Sequence, residues 1–480
     1  MEKIKNYING KLIAPIGKGY LDNINPSTGE VYSLLPNSDQ KDFLLALSGA
    51  KKAFSGWSKE TKKYRYNILM KLARELEKNC EKLALAESLD NGKPLWLAKK
   101  MDIPRCAENI RFFATASLHF DSKVHTMNRD AINYTLRSPI GVVGCISPWN
   151  LPLYLLTWKI APALAAGNVV IAKPSEVTPY TAYLFSKICI KSGVPPGVIN
   201  ILHGTGEGVG QEIVKHKDVP VISFTGGTNT GKKINEICAQ KFKKVSLEMG
   251  GKNPTIVFSD SNFEKAIETT LRASFLNQGQ ICLCGSRIFV EKDLYPKFKR
   301  AFIKEVKKIV VGNPSSKNSF LGAMVSREHL EKVLSYISLA KKEGGKILCG
   351  GKRVLLKGKL KNGYYMSPTV IDGLDHLCKT NQEEIFGPVV SIMPFNSEND
   401  VINMANSTIY GLSASIFTEN LSRAHRVSSK INSGVVWVNS WLIRDLRIPF
   451  GGMKSSGLGR EGGFGSLRFF TEPKNVCIKI

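Results

Sequence analysis

Two thiols stand two residues apart in the run NQGQICLCGSR, Cys282 and Cys284. Four chemistries fit such a pair. A tetrahedral zinc site needs four ligands, and Cys-x-Cys without a nearby histidine or a second cysteine pair does not supply them. No metal is expected. A disulfide between residues i and i+2 would be strained. Packing is the usual fate of a free cysteine. A nucleophile stays open beside packing, because Cys282 follows Gly-Gln in a polar turn between a helical and a strand-like segment. Two other residues have the chemistry to assist it. Glu248 ends an apolar run in KKVSLEMGGKNP. Partly buried, such a carboxyl has a raised pKa and serves as a general base near neutrality; a solvated residue paired with a lysine is the plainer alternative. Asn150, in SPWNLPL, is an amide in an apolar, proline-flanked loop. Burying it without a partner is costly, and its N–H groups suit a developing oxyanion.

The elements that must hold these residues read as α/β. Helical periodicity covers Lys41–Trp57, Lys63–Leu89 and Arg105–Leu118. From Asn168 onward β-branched runs (VVIA, VINIL, VISF, KKVSLE) alternate with amphipathic segments, which predicts a parallel sheet covered on both faces. A second series follows in PTIVF, SRIFV, VVSIMPF, SASIFT and GVVWVNS, so two α/β domains are expected, divided near Gly250-Gly251. Ligands of open parallel sheets bind beyond the carboxyl ends of the strands. That rule singles out the turns KPSE, HGTGEG and TGGTNTG. GTGEGVG is one residue off the dinucleotide fingerprint, so a plain strand-closing turn stays open for it.

Composition narrows the class. A chain of 480 residues with 43% hydrophobic and 22% charged residues is globular and too long for one core. The opening MEKIKNYING lacks the apolar run of a secretory signal, and ten scattered cysteines form no disulfide framework, so a reducing cytoplasm is expected. LPLYLLTWKIAPALAAGNVVIA is interrupted by Lys159, Pro162 and Gly167-Asn168 and reads as helix, turn and buried strand, with no membrane partner implied. The net charge of +27 attracts anions. Its lysines are dispersed, without the basic motif of a nucleic-acid module.

Seven motifs occur in order: PWN at 148–150, KPSE at 173–176, FTGGT at 224–228, LEMGGKNP at 247–254, GQIC at 279–282, EEIFGP at 383–388 and PFGGMKSSGLGRE at 449–461. Through them nearly the whole chain resembles the NAD(P)-dependent aldehyde dehydrogenases. The resemblance implies two Rossmann-type α/β domains plus a β-hairpin oligomerisation arm. The NAD-binding domain would span 1–121 and 140–250, the catalytic domain 251–439, a returning loop 440–469, and the arm 122–139 with 470–480. It implies that Cys282 is the nucleophile, that Glu248 activates water and that Asn150 with the Cys282 N–H holds the oxyanion. Lys173 and Glu176 fall where the adenosine ribose is bound, Glu384 and Phe386 around the nicotinamide ribose, and Gly226 and Gly227 beside the pyrophosphate. Trp149 and Ser175 complete the cofactor set. A carboxylate at Glu176 would repel a 2′-phosphate, so NAD is favoured over NADP. The chain departs from the family's FTGS at Gly227, which removes a hydroxyl contact to phosphate. Cys284 is read as pocket lining.

The stretches 147–168 and 438–463 are most similar to the branch that oxidises 2-aminomuconate 6-semialdehyde and 2-hydroxymuconate semialdehyde. Such acidic substrates need cations. In MDIPRCAENIRFF, Asp102 reads as an N-cap, which puts Arg105 in a first helical turn against the macrodipole; a surface pair with Asp102 is the alternative. By similarity Arg105 lines the substrate tunnel and Arg444 closes it from the opposite loop, with Arg447 as the alternative on that loop. The rival substrates are betaine aldehyde, whose quaternary ammonium would prefer an aromatic cage without arginines, and simple aliphatic aldehydes. A non-catalytic protein on the same fold would have lost Cys282 or Glu248. The arm, Val124 to Ser138 with a final strand from Glu472, is expected to pair subunits into a homodimer or homotetramer.

Overall fold

In the computed structural model, which describes residues 1–480, the β-branched runs of the first half form one sheet. Its five parallel strands stand in the order Lys244–Glu248, Val221–Thr225, Val142–Ile146, Val169–Lys173 and Ile199–Ile201. Chain order reverses between Val142–Ile146 and Val221–Thr225, so the crevice for a ligand opens at their carboxyl ends. An antiparallel hairpin, Asn6–Ile8 with Lys11–Ile13, extends one edge, and Gly457–Leu458 returns to pair with Leu247 and Glu248 at the other. The helix Pro152–Ala165 packs beneath with every residue buried, Lys159 and Pro162 included.

The second sheet is built from residues 253–438. Six parallel strands, Thr369–Asp372, Val389–Phe395, Gly285–Glu291, Asn253–Val257, Ser413–Phe417 and Val435–Val438, carry one antiparallel edge strand, Lys346–Cys349. Parallel strands buried on both faces must be apolar along their length, as VVSIMPF and SASIF are. Val124–Met127, Ala131–Pro139 and Thr471–Lys479 form a separate antiparallel ribbon whose outer strand is wholly exposed. No helix is long and apolar enough to cross a membrane.

Two expectations fail at particular residues. The helix expected over Lys63–Leu89 is two, Lys62–Lys78 and Cys80–Asn91. Asn79 breaks it with non-helical angles (φ −100°, ψ 14°), its side-chain Nδ2 donating at 2.8 Å to the Glu75 carbonyl that its own backbone N–H also reaches. Asp102 is not an N-cap. It has helical angles and no capping bond, because the helix already starts at Leu95 and runs through a wide π turn, Ala98–Asp102, into Ile103–Leu118. Its carboxylate turns inward to the buried Lys93. Arg105 therefore opposes no macrodipole, and its surface partner is Glu108 at 3.2 Å.

Arg287 ties the second sheet to the loop below it. Fully buried, it donates to the carbonyls of Lys252, Met404 and Ala405 at 2.7–2.9 Å. Burial lowers its pKa to about 9, so it stays charged at neutral pH. Arg287→Ala removes a charged donor from three carbonyls, of which only Met404 O keeps Ser407 Oγ at 2.9 Å, and is expected to cost about 3 kcal/mol. Guanidinium denaturation followed by tryptophan fluorescence reads this directly; an unchanged midpoint would show the three bonds to be dispensable.

Candidate active site

Cys282 sits at the end of a strained turn. Asn277 and Gln278 take φ +53° and +57°, a left-handed conformation that costs a non-glycine residue about 1–3 kcal/mol. Side chains hold them there: Asn277 Nδ2 donates to the carbonyls of Asn150 and Gln280, Gln278 Nε2 to Ala323 O at 3.1 Å, and Gln280 Oε1 accepts from Val325 N–H. Gly279 (φ +67°) lies so close to Gly387 that a Cβ would fall 2.2 Å from its carbonyl oxygen. The turn is rigid. Burial, then the carboxyls of Glu384 and Glu248, push the Cys282 thiol well above its ordinary range, with Arg444 opposing. Cys284 packs deeper among Leu276, Ile281, Leu283 and Trp441, its thiol pushed up to about 12 by burial.

Asn150 and Glu248 arrive from the first sheet. Asn150 is buried, and one N–H of its amide donates to Gln280 O at 3.0 Å while the other has no protein acceptor. The Cys282 backbone N–H likewise donates to no protein group. Glu248 ends its strand against Gly451, whose φ of +153° and missing Cβ leave room for the carboxyl. Both its oxygens are buried without a hydrogen-bond partner. Burial first, then the neighbouring Glu461, raise its pKa well above the usual carboxylate range, while Lys159, Arg444 and Arg460 oppose.

Beyond the strand ends a long cleft runs away from Cys282. Its near part is lined by Trp149, Asn150, Gly226, Gly227, Glu384 and Phe386, and its far part by Lys173, Glu176 and the turn from Thr205 to Gly210. Trp149 and Phe386 meet edge to face at 5.2 Å. Glu384 lies over the glycine pair, accepting from Gly251 N–H at 2.9 Å; a Cβ on Gly250 would come within 2.2 Å of it. Gly227 precedes the helix Thr228–Ala239 and borders open space, so backbone N–H groups and the positive helix end face the cleft unobstructed. Lys173 and Glu176 pair at 2.7 Å. Burial works against the Glu176 carboxylate, but Lys173 and backbone N–H donors outweigh it and leave its pKa below the ordinary value. Ser175 stands apart. Its hydroxyl accepts from Val177 N–H in a local turn, and it lines neither part of the cleft. A glycine cradle at a helix start, an ionised carboxylate at one end and a thiol at the other fit an extended dinucleotide.

On the opposite side of Cys282 a second cavity is lined by Glu248, Arg105, Arg444, Met101, Tyr154 and Phe450. Arg444 lies between aromatic faces, its guanidinium 3.8 Å from the Phe450 ring centre and 4.5 Å from that of Trp158. Nη1 donates to Tyr154 Oη at 3.1 Å, whereas Nε and Nη2 are buried without an acceptor. Arg447 is elsewhere, with its side chain 80% exposed and clamped on Asp445. Several residues at the site had no sequence signal. Lys159, visible only as a charge interrupting an apolar run, bonds Glu461 at 2.9 Å beneath Glu248. His329 and Lys332, on the helix Arg327–Lys342 of the second half, reach the near part of the cleft, and His329 Nε2 meets Phe386 O at 2.7 Å.

A thiol raised by burial and by two carboxyls ionises only as pH climbs. Alkylation of Cys282 by iodoacetamide, followed by intact mass, is therefore expected to accelerate through pH 9–10 instead of levelling near the ordinary thiol pKa of about 8.5. Glu384→Gln removes the larger of the two carboxyl contributions and should speed labelling at pH 7.5 several-fold. A plateau below pH 8 in the unmodified protein would contradict this electrostatic picture.

Comparison with known proteins gives the same answer along the whole chain. The model of the aldehyde dehydrogenase family matches residues 14–476. The 2-aminomuconic semialdehyde dehydrogenase of Mus musculus is 51% identical over 479 residues, covering 99% of this chain and 98% of its own. The 2-hydroxymuconic semialdehyde dehydrogenase of Pseudomonas sp. (strain CF600) is 42% identical over 486 residues, with both chains covered in full. An aldehyde dehydrogenase from Bacillus cereus solved as an NAD+ complex superposes with a TM-score of 0.97 at 38% identity, covering 100% of this chain and 97% of that one. The chain belongs to the aldehyde dehydrogenase family.

Proposed function

We propose that the protein oxidises an acidic semialdehyde, 2-aminomuconate 6-semialdehyde or its 2-hydroxy analogue, to the carboxylic acid with NAD. The observation that carries this reading is Arg444: a guanidinium fixed between two rings, with two buried N–H-bearing nitrogens lacking an acceptor, in the cavity that Cys282 and Arg105 share. Unpaired charged donors are costly, and a carboxylate is the ligand that satisfies them bidentately. Relatives named for such substrates, at 51% and 42% identity, support the same choice. Betaine aldehyde fits less well, because two arginines repel its ammonium.

In this reading the Cys282 thiolate attacks the aldehyde carbon, giving a thiohemiacetal. Its oxyanion accepts from the free N–H of the Asn150 amide and from the Cys282 backbone N–H. When bound, NAD supplies the acceptor for the hydride that leaves this carbon, so the sulfur is left bearing a thioester. Glu248 then takes a proton from water, the water oxygen attacks the thioester carbon, and the acid departs as the thiolate is regenerated. A base with a raised pKa suits that proton transfer near neutrality, and deprotonation of both Glu248 and Cys282 makes turnover rise with pH.

The residues of 1–121 and 140–250 would bind NAD, with Lys173 and Glu176 at the adenosine ribose and Glu384 and Phe386 near the reacting end. An ionised Glu176 disfavours the 2′-phosphate of NADP. Residues 251–439 would form the catalytic unit, covered by 440–469. The exposed ribbon 122–139 with 470–480 would pair subunits, since unpaired strand edges of this kind are normally covered. Ten free cysteines accord with a cytoplasmic site of action.

The reading is tested by NAD reduction with a 2-substituted muconate semialdehyde, betaine aldehyde and propanal. The muconate compound should be strongly preferred. Arg105→Ala and Arg444→Ala should each lower its kcat/KM about 10–100-fold, the loss of charge-assisted bonds. Arg105→Ala should leave propanal unaffected, and Arg444→Ala, which also withdraws a positive charge from Cys282 and Glu248, should slow propanal far less than the muconate compound. Better turnover of propanal, indifferent to both arginines, would leave the dehydrogenase and remove the substrate. For the chemical steps, Glu248→Gln should lower steady-state kcat about 10²–10³-fold yet still release one NADH per site in a burst, because thioester forms but drains slowly. Absence of a burst in rapid-mixing experiments would take Glu248 out of the hydrolytic step.

A further inference from the structure

We infer that Lys93, held between Asp102 and Glu87, is a positioning residue that fixes the Asn150 amide and ties it to the helical turn presenting Arg105. The inference rests on the oxyanion role proposed for Asn150. Lys93 follows the helix Cys80–Asn91, and its side chain is completely buried. Nζ donates to Asp102 Oδ2 at 2.5 Å and to the Asn150 backbone carbonyl at 3.0 Å, with Glu87 Oε1 at 3.5 Å. Two protons of the ammonium thus have a direction, and Glu87 adds charge at a longer distance without a hydrogen bond.

The loop that carries Asn150 is gripped from several sides. Asn91 Nδ2, two residues before Lys93, donates to Trp149 O at 2.9 Å, and Asn277 Nδ2 donates to the same Asn150 carbonyl at 3.1 Å. With that carbonyl held by a charged and a neutral donor, and one amide N–H committed to Gln280 O, the remaining N–H of Asn150 has one orientation left.

The other end of the ion pair explains the π turn. Asp102 is its last residue, and its neighbours Met101 and Arg105 line the substrate cavity. Drawing Asp102 inward to Lys93 widens the turn and sets the azimuth of Arg105. π turns inside helices are frequent at functional sites. Stability alone gives no reason to retain such a cluster, since buried ion pairs are commonly replaceable by apolar groups without loss. What charge-assisted bonds supply is direction. Burial pushes Glu87 up to about 7, which reduces the excess negative charge around one ammonium.

A double-mutant cycle tests this, with propanal as substrate so that the outcome does not depend on the muconate assignment. Lys93→Met should lower kcat about 10–100-fold, a large part of one oxyanion donor, with the Kd for NAD, read by fluorescence quenching, unchanged within about twofold. In an Asn150→Ala background the same substitution should cost less than about threefold, because the group it positions is gone. Equal losses in both backgrounds, or none in either, would overturn the inference. An Asn150→Ala enzyme with full kcat would instead overturn the oxyanion role itself, and the inference with it. Should Lys93→Met fail to fold, Asp102→Asn keeps the shape and one acceptor; it should show a smaller loss, about 3–10-fold, with the same dependence on Asn150.

Discussion

The hydrogen bonds between the loop holding Asn150 and the turn Asn277–Gln280 are the joint on which the site depends. Asn150 donates to Gln280, and Asn277 donates back to Asn150. One partner comes from the end of a strand in the first sheet, the other from the start of a strand in the second. These bonds are short, buried and reciprocal, so they resist the opening that would separate thiol from amide. They also sustain two non-glycine residues in a left-handed conformation that an isolated turn would relax. Cys282 is thereby placed by tertiary contacts more than by its own segment.

Around that joint the protein concentrates charge where water is scarce. Glu248, Glu461, Lys159 and Arg444 crowd below Cys282, and Glu87, Lys93 and Asp102 lie behind Asn150. The net charge of +27 is a different matter, spread over the outside, where it is screened and acts mainly on solubility and on the approach of anions. The inner charges interact through a low dielectric and set protonation states. Burial and the nearby Glu461 raise the pKa of Glu248, whose carboxyl oxygens have no hydrogen-bond partner. Arg444 carries two buried nitrogens without an acceptor. Burying polar groups without partners is costly, so such groups mark a site built for more than stability.

The cleft and the cavity meet around Cys282, sharing Leu155, Thr225 and Met249 with it, and their linings otherwise differ. Glycines at 226, 227 and 250 expose backbone along the cleft, while the cavity is walled by Leu, Met and aromatic side chains with two arginines set among them. At Gly227 open space lies where a side chain would stand, which leaves backbone N–H groups facing the cleft.

Strands of both sheets and the α/β class were legible in the sequence, because apolar runs of β-branched residues are local patterns; Cys282, Glu248 and Asn150 could be named there as candidates, with their roles given by the resemblance of the motifs that hold them. Arg444 could be named from its loop, but its choice over Arg447 could not be made there: the two differ only in that one is packed between Phe450 and Trp158 and the other clamps Asp445 at the surface. The error at Asp102 has the same origin. An aspartate before Ile-Pro-Arg satisfies every local rule for a cap, and what overrides it is a lysine nine residues earlier, buried with it. Ser175 shows the converse, a motif residue whose hydroxyl is spent on its own turn. Local chemistry determined the elements and nominated the reacting groups. Only tertiary structure decided which of them face one another, because burial and pairing depend on segments hundreds of residues apart, as Lys159 and Glu461 are.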